Sequence, residues 1–389
     1  MFSSFKKTVC PYCYNTFGIS KVQWRCNSYK CKNDNAETDE KYCEYHNISD
    51  AERHKQPHII SFGKPKKGFV KCNLCGDVTN IKICPNCHSR LPSTDENVII
   101  SIIGAPGSGK SYYVGSLLKQ FYKHATSVNC ACKYTTEDDS KLFESRYNIP
   151  FEKNQVLDKT QPPSKGVNIV GANLPILCDI YDSKNVKRTF TFFDAAGENF
   201  EDQSTMDYLS PYISHSSAII LLLDPTKIEH VYNTLVSENP DIYSSHNKEN
   251  KISFESILQN IVDVINKQNK TRGKIDIPIA VTFSKWDVIE NSKSLRPEGC
   301  NILNPSPHFT QGYSPDDCEN VSSEVEGLLG SWNYSNFVEL VKQNFKTVKF
   351  FGCSSIGANI SKEGDVPNIV SKRVEDPFLW LLAQRKYIK

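Results

Sequence analysis

The sequence predicts an α/β protein with a mostly parallel central sheet flanked by helices, preceded by a small cysteine-rich module. Three observations predict it. Runs of apolar, largely β-branched residues from Val98 to Ile103, Ala218 to Leu223 and Ile279 to Phe283 read as buried strands, separated by segments long enough for helices. The first run enters a glycine-rich loop, followed by apolar residues at helical spacing: Val114, Leu117, Leu118 and Phe121. Nine of the 15 cysteines lie between Cys10 and Cys87, and the other six are scattered. The change of character places a boundary near residue 95, giving a module over 1–95 and an α/β domain over 96–389 with an insert around 290–332.

Charge excludes some partners. With 46 Lys and Arg against 44 Asp and Glu, the net charge is only +2, too small for a broad field that recruits DNA or an anionic membrane. No apolar run is long enough to cross a bilayer, and the start MFSSFKKTVCPYC lacks the apolar core of a signal peptide, so the expected location is the cytoplasm.

In a reducing compartment closely spaced CxxC pairs favour metal over disulfide, because two thiolates on one tight turn grip a single tetrahedral ion. Cys72 with Cys75 and Cys84 with Cys87 form CNLC and CPNC turns eight residues apart, which a short hairpin would bring onto one zinc ion. Cys10 and Cys13 open a second set, completed by Cys26 and Cys31, with Cys43 and His46 as competing ligands by spacing. His88 is read as a neighbour of the metal site, since structural zinc takes four ligands. Cys130, Cys132, Cys178, Cys300, Cys318 and Cys353 show no such pattern and read as ordinary residues. Lys64, Lys66 and Lys67 with Phe69 make a small basic patch, either a solvated linker or a weak nucleic-acid contact.

GAPGSGKS after the Val98–Ile103 strand fits GxxxxGK[ST], the phosphate loop of nucleotide-binding proteins. Gly104, Ala105, Pro106, Gly107, Ser108 and Gly109 form the loop whose amides face phosphate, and Tyr112 follows in the helix. Lys110 neutralises the β and γ oxygens, and the Ser111 hydroxyl is a magnesium ligand. RTFTFFDAAGE is a strand running into DxxG, with Asp194 holding magnesium through water and the Gly197 amide sensing a γ-phosphate. A strand from Pro175 to Asp182 pairs with it in antiparallel fashion, and Thr160 ahead of that strand is the switch threonine, unless its segment is a plain solvent loop.

The strand ending at Phe283 runs into SKWD, which fits the guanine-reading [NT]KxD pattern with Ser284 in its first position. Asp287 accepts hydrogen bonds from the guanine nitrogens and Lys285 covers the base plane. A strand from Thr347 to Phe351 then leads to Ser354 and Ser355, whose amides read the base carbonyl. Phe378, Leu379, Trp380 and Leu382 mark an apolar C-terminal helix on the sheet.

Four motifs in the order GAPGSGKS, DAAGE, SKWD and CSS resemble the Ras-like, translation-factor-related GTPases over about residues 97–387. The RVEDPFLWLL tail, the CxxC pairs ahead of the loop and LLLDP narrow the resemblance to the bacterial double-GTPase family. That resemblance implies a GTP/GDP switch using Mg2+, zinc ribbons with two Zn2+, a partner GTPase or other docking protein, and a role in bacterial conflict signalling. Glu198 stands where many relatives of this class carry a water-orienting glutamine, so slow intrinsic hydrolysis, completed by a partner's arginine, is the expectation. Two further readings compete: an ATPase whose ribbons grip nucleic acid, and a nucleotide-binding scaffold without turnover.

Overall fold

The structure is a computed structural model that describes residues 7–46, 48–53, 55–61, 65–94, 96–158, 174–194, 210–240, 253–269, 273–357 and 369–389. Lys64, Thr160, Gly197 and Glu198 lie outside the described residues. Two compact units divide the chain. The first holds the described residues up to Val98, with Leu174 and Pro175, and the second holds the remainder from Ile99 onward.

In the first unit three short strands form an antiparallel sheet, with Gln23–Arg25 between Ile59–Ile60 and Ile81–Ile83. Its apolar core is small: Phe17, Val22, Trp24, Ile60, Val70 and Leu91 pack among the cysteines. So little buried apolar surface does not hold a module of this size by itself, and a structural metal is the usual remedy.

The elements that position the site in the second unit are β1 (Asn97–Ile103), α1 (Lys110–His124), β2 (Ala131–Tyr134), α2 (Glu137–Phe143), β3 (Ile176–Tyr181), β4 (Lys187–Phe193), β5 (Ala218–Leu223), β6 (Ile279–Phe283), α3 (Trp286–Glu290), α4 (Pro315–Ser331), β7 (Val348–Gly352) and α5 (Asp376–Gln384). Seven strands make one sheet in the order β2-β3-β4-β1-β5-β6-β7. Parallel pairing joins β1 to β5, β5 to β6 and β6 to β7, with Ile102 opposite Ile220, Leu221 opposite Val281 and Phe283 opposite Gly352. β2, β3 and β4 pair in antiparallel fashion at the other end. Every residue of β5 and β6 is buried, which explains why these strands read as continuous apolar runs rather than as alternation. Thr136 and Asp139 close a capping box at the start of α2, and the second Asp139 oxygen takes the Leu177 amide at 3.1 Å, fixing the helix to β3.

The segment read as a Pro- and Ser-rich insert contains α4. Ser314 caps it, Pro315 occupies the first turn, and Asp316 and Asp317 complement the helix dipole. Ser322 on its inner face takes the Phe350 amide of β7 at 3.1 Å, so the helix covers the sheet edge that ends at the SKWD side.

Arg373, almost wholly buried, ties this segment to the C-terminal helix. Its guanidinium donates to Asp317 at 2.8 and 3.1 Å, to Asp376 at 2.5 Å, and to the carbonyls of Asn301 and Asn304 at 3.0 and 2.9 Å. His308, Asp317 and Asp376 have the spacing of a cation site, yet the guanidinium already bonds both carboxylates and supplies the positive charge. Deleting one member of such a set strands the buried opposite charges. Arg373→Ala is therefore expected to lower stability by about 3–5 kcal/mol, read by chemical denaturation through tryptophan fluorescence. A loss below about 1 kcal/mol, the range of an exposed ion pair, would remove the cluster from the list of structural ties.

Candidate functional site

Each CxxC turn is built the same way. The amide four residues after the first cysteine donates to that cysteine's carbonyl: Tyr14 to Cys10, Gly76 to Cys72 and His88 to Cys84, at 3.0, 3.1 and 3.0 Å. The residue after the second cysteine is left-handed in every case, with φ of 53° at Tyr14, 81° at Gly76 and 54° at His88. That backbone path turns both sulfurs to one side. His88 serves the turn, and its Nδ1 lies 2.8 Å from Asp39 rather than in a metal set.

The eight predicted cysteines do form two groups of four, but the grouping corrects the sequence reading. Cys10 and Cys13 gather with Cys84 and Cys87, while Cys26 and Cys31 gather with Cys72 and Cys75. The reason is the sheet. Gln23 is opposite Ile83 and Arg25 opposite Ile81, so antiparallel pairing sends Cys26 and Cys84 out of opposite ends of the sheet. The eight residues between Cys75 and Cys84 carry the strands Val78–Thr79 and Ile81–Ile83 across that distance rather than a tight hairpin. Cys43 and His46 fall outside both groups. His46 Nε2 lies 2.7 Å from the Ser89 hydroxyl, and burial pushes its imidazole down to about 4.

Sulfur separations of 3.7 Å (Cys10–Cys87), 3.7 Å (Cys13–Cys84), 3.6 Å (Cys26–Cys75) and 3.8 Å (Cys31–Cys72) match the edge of a tetrahedron. Bonds of about 2.3 Å to zinc put the four sulfurs about 3.8 Å apart. Hydrogen bonds from the Ser28 side chain and the Asp77 amide push the Cys75 thiol down to about 7, and neighbouring cysteines hold Cys13 well below the ordinary range, while burial pushes Cys10, Cys26 and Cys31 up. Thiolates are the form that binds metal. The donor set thus fits two Zn2+ ions in chemistry and geometry.

In the second unit the phosphate-loop sequence lies between β1 and α1 as predicted. Gly104 has no space for a side chain, because a Cβ there would lie 2.3 Å from the Leu222 carbonyl oxygen and 2.6 Å from Ser108 Oγ. Gly107 and Gly109 have φ of 76° and 82°, and a Cβ on either would meet nothing within 4 Å, so their side of the loop is an open cradle. Ala105, Pro106 and Ser108 complete the loop, and the buried Ser108 hydroxyl has no hydrogen-bond partner. Lys110 reaches back over the loop, its ammonium donating to the Gly104 and Ala105 carbonyls at 2.7 and 3.2 Å.

Asp194 stands at the end of β4, almost wholly buried. Burial pushes its carboxyl up, opposed by a hydrogen bond from Ser111 and by the charges of Lys110 and Arg146. Its Oδ2 accepts from the Tyr147 hydroxyl at 3.1 Å, and its Oδ1 is buried with no hydrogen-bond partner. A buried carboxylate oxygen without a partner, beside the first hydroxyl of α1, is a donor set whose oxygen chemistry fits a hard divalent cation. Tyr112 points elsewhere: its hydroxyl takes the Leu157 amide at 3.1 Å.

The SKWD residues follow β6 at the same sheet edge. Ser284, buried, donates from Oγ to the Leu223 carbonyl at 3.0 Å and so is spent on β5. Lys285 sits at φ 52° and bonds Asp224 at 2.5 Å. The left-handed backbone and this ion pair fix where its alkyl stem lies. Asp287 accepts from the Ser354 hydroxyl at 2.5 Å, and the Ser116 hydroxyl of α1 donates to the Ser355 carbonyl at 2.9 Å, joining the phosphate-loop helix to the loop after β7. Gly352 is required here, since a Cβ would lie 2.5 Å from the Trp286 ring. Motifs separated by up to 250 residues of chain thus meet outside the carboxyl ends of β1, β5, β6 and β7, where ligands bind in open parallel sheets. Sequence reading missed Asp224, whose only signal was the LLLDP strand end, and Tyr147, which carried none.

The fold and this site define the P-loop GTPase class. Within it, the family model for Double-GTPase 2 matches residues 98–306 of the 389, and the chain belongs to that family. A relative from Mycolicibacterium smegmatis, described as "Putative ESX-1 scaffolding and assembly protein SaeC", is 22% identical over 326 residues, 78% of this chain and 80% of the relative. The solved structure of the Arl6 BBS3 small GTPase from Trypanosoma brucei, with the bound nucleotide analogue GppNp, is similar at 10% identity and a TM-score of 0.31. That match covers 75% of this chain and 99% of the other.

Proposed function

We propose that the second unit binds GTP with Mg2+ at the carboxyl edge of its sheet and hydrolyses it, working as a switch. The observation that carries this reading is the convergence of the Gly104–Ser111 cradle, the unpartnered Asp194 oxygen and Asp287 on one edge. Loop amides and Lys110 hold the phosphates, Ser111 and Asp194 hold magnesium, Lys285 and Asp287 read the base, and Ser354 aims Asp287. Bound Mg2+ supplies charge neutralisation on the β and γ oxygens. In the reaction a water oxygen forms a bond to the γ-phosphorus as the bond to the β–γ bridging oxygen breaks; GDP leaves with that electron pair, and the water proton goes to phosphate. Thr160, Gly197 and Glu198, outside the described residues, are assigned to sensing the γ-phosphate on sequence alone.

The module, residues 1–95, would hold two Zn2+ as structural staples and offer a docking face for protein. Tyr29, 81% exposed, and Leu74, 53% exposed, flank the Cys26, Cys31, Cys72 and Cys75 group and support that assignment. A relative described as a scaffolding and assembly protein supports work with protein partners. Conflict signalling in the cytoplasm rests on the family resemblance and on CxxC spacing that favours metal over disulfide. Among the described residues no helix is long and apolar enough to cross a membrane.

Titration of metal-replete protein with GTP, GDP and ATP, with and without Mg2+, tests the reading. Asp287→Ala is expected to weaken GTP by about 2 kcal/mol, roughly 30-fold, and to leave ATP unchanged, because only guanine presents a ring N–H and an exocyclic amine side by side to the two oxygens of a carboxylate, whereas adenine has a ring acceptor beside its amine. Tighter binding of ATP than GTP by the unaltered chain would overturn it.

A further inference from the structure

After α2 the chain leaves ordinary helical geometry. Glu144–Asn148 is a π-helical turn, a form found mostly as single turns at functional sites because its packing must be held from outside. Here α1 holds it. Gly115 sits beneath the turn, and a Cβ there would lie 2.8 Å from Tyr147 Cδ1 and 2.9 Å from Phe151 Cζ. The turn therefore rests against the helix that carries the phosphate loop. Tyr147 is fully buried and reaches the magnesium-side carboxylate, its hydroxyl donating to Asp194 Oδ2 at 3.1 Å.

Arg146 is the next residue back, half-buried on the same turn. Its guanidinium bonds the Tyr147 hydroxyl, which in turn donates to Asp194. Asn148, at the end of the turn, donates to Glu144 at 2.9 Å and to Glu152 at 3.0 Å and so ties the turn to the residues around it. A cation with five donors in a planar fork thus stands beside the buried aspartate at the γ-phosphate end of the loop, on a turn pinned by a hydrogen bond to that aspartate.

We propose that Arg146 is an arginine finger supplied within the chain, contacting the γ-phosphoryl oxygens as the bond to the bridging oxygen breaks, and that Tyr147 is the residue that positions it. The inference rests on the GTPase reading. It replaces the partner's arginine expected from Glu198 with one from this chain, and leaves to any partner the placing of the attacking water.

The test uses full-length, metal-replete protein and the variants Arg146→Ala, Arg146→Lys and Tyr147→Phe. Three quantities are read: the Kd for GDP and for GppNHp by fluorescence, the thermal shift given by GDP with aluminium fluoride as a transition-state mimic, and single-turnover hydrolysis. Arg146→Ala is expected to change both ground-state affinities less than about 3-fold, to abolish the extra aluminium fluoride shift, and to slow hydrolysis by about 1,000-fold. Arg146→Lys restores little, because a point charge lacks the fork. Tyr147→Phe keeps affinity and loses part of both other signals. If Arg146→Ala takes up aluminium fluoride and hydrolyses like the parent, or loses ground-state affinity in parallel with rate, the inference falls and the GTPase reading stands. If the parent protein binds no GppNHp or shows no aluminium fluoride shift, the inference falls too, and absent GppNHp binding removes the GTPase reading with it.

Discussion

Cys10→Ser combined with Cys87→Ser is expected to leave one intact four-sulfur centre, whereas Cys10→Ser combined with Cys72→Ser leaves none. The first pair lies in one group and the second pair is split between the two. A grouping that followed chain order would reverse part of the pattern, with Cys10→Ser plus Cys26→Ser sparing a centre. Cobalt substitution reads the count, since the charge-transfer and visible bands of a tetrahedral four-thiolate site differ from those of a site with water or serine ligands. The effect on folding is as large as any in this protein. Structural zinc contributes about 10–16 kcal/mol to a small module at neutral pH, against a typical total domain stability of about 5–15 kcal/mol. Stripping both ions by chelation is therefore expected to unfold residues 7–94, seen as loss of the Trp24 signal, because the apolar side chains packed among the cysteines make only a small core there. Retention of a four-sulfur cobalt spectrum in the Cys10 and Cys72 pair would refute the interleaved arrangement.

The interleaving marks where sequence stopped being enough. A CxxC turn is a local object, fixed by a carbonyl, an amide four residues on and one left-handed residue, and local spacing reveals it. Which turns share an ion is decided by a sheet whose central strand, Gln23–Arg25, is three residues long, too short to stand out. The same division holds in the second unit. β5 and β6 were legible because full burial demands an unbroken apolar run, and the phosphate loop because its glycines and Lys110 are set by backbone geometry. Edge strand β2, with Ala131 and Lys133 exposed, carries no such demand and was missed. α4 was hidden by its Pro and Ser content, although Ser314, Pro315, Asp316 and Asp317 are the residues that start a helix. Tyr147 could not be read at all, since its role depends on a π turn and on a glycine 32 positions earlier in the chain.

Lys110→Ala is expected to reduce GTP affinity by about 3 kcal/mol, roughly 100-fold, with the fold and metal content intact. The lysine is only 7% exposed, and its ammonium donates to two main-chain carbonyls. Carbonyl dipoles stabilise a cation without cancelling its charge, so the ammonium keeps its attraction for phosphate while its four-carbon stem is pinned along the loop. Arg at this position is not a substitute. A compact ammonium is a point charge that phosphate oxygens can surround, whereas a planar guanidinium holds its donors in a fixed fork. Calorimetric titration of the Ala and Arg variants with GTP and Mg2+ checks the claim, and a Kd within about 3-fold of the parent for the Ala variant would mean that the phosphates lie elsewhere. Comparison with Arg146→Ala then separates two cations by function: one whose loss is felt when nucleotide binds, and one whose loss is felt only when the phosphoryl group departs.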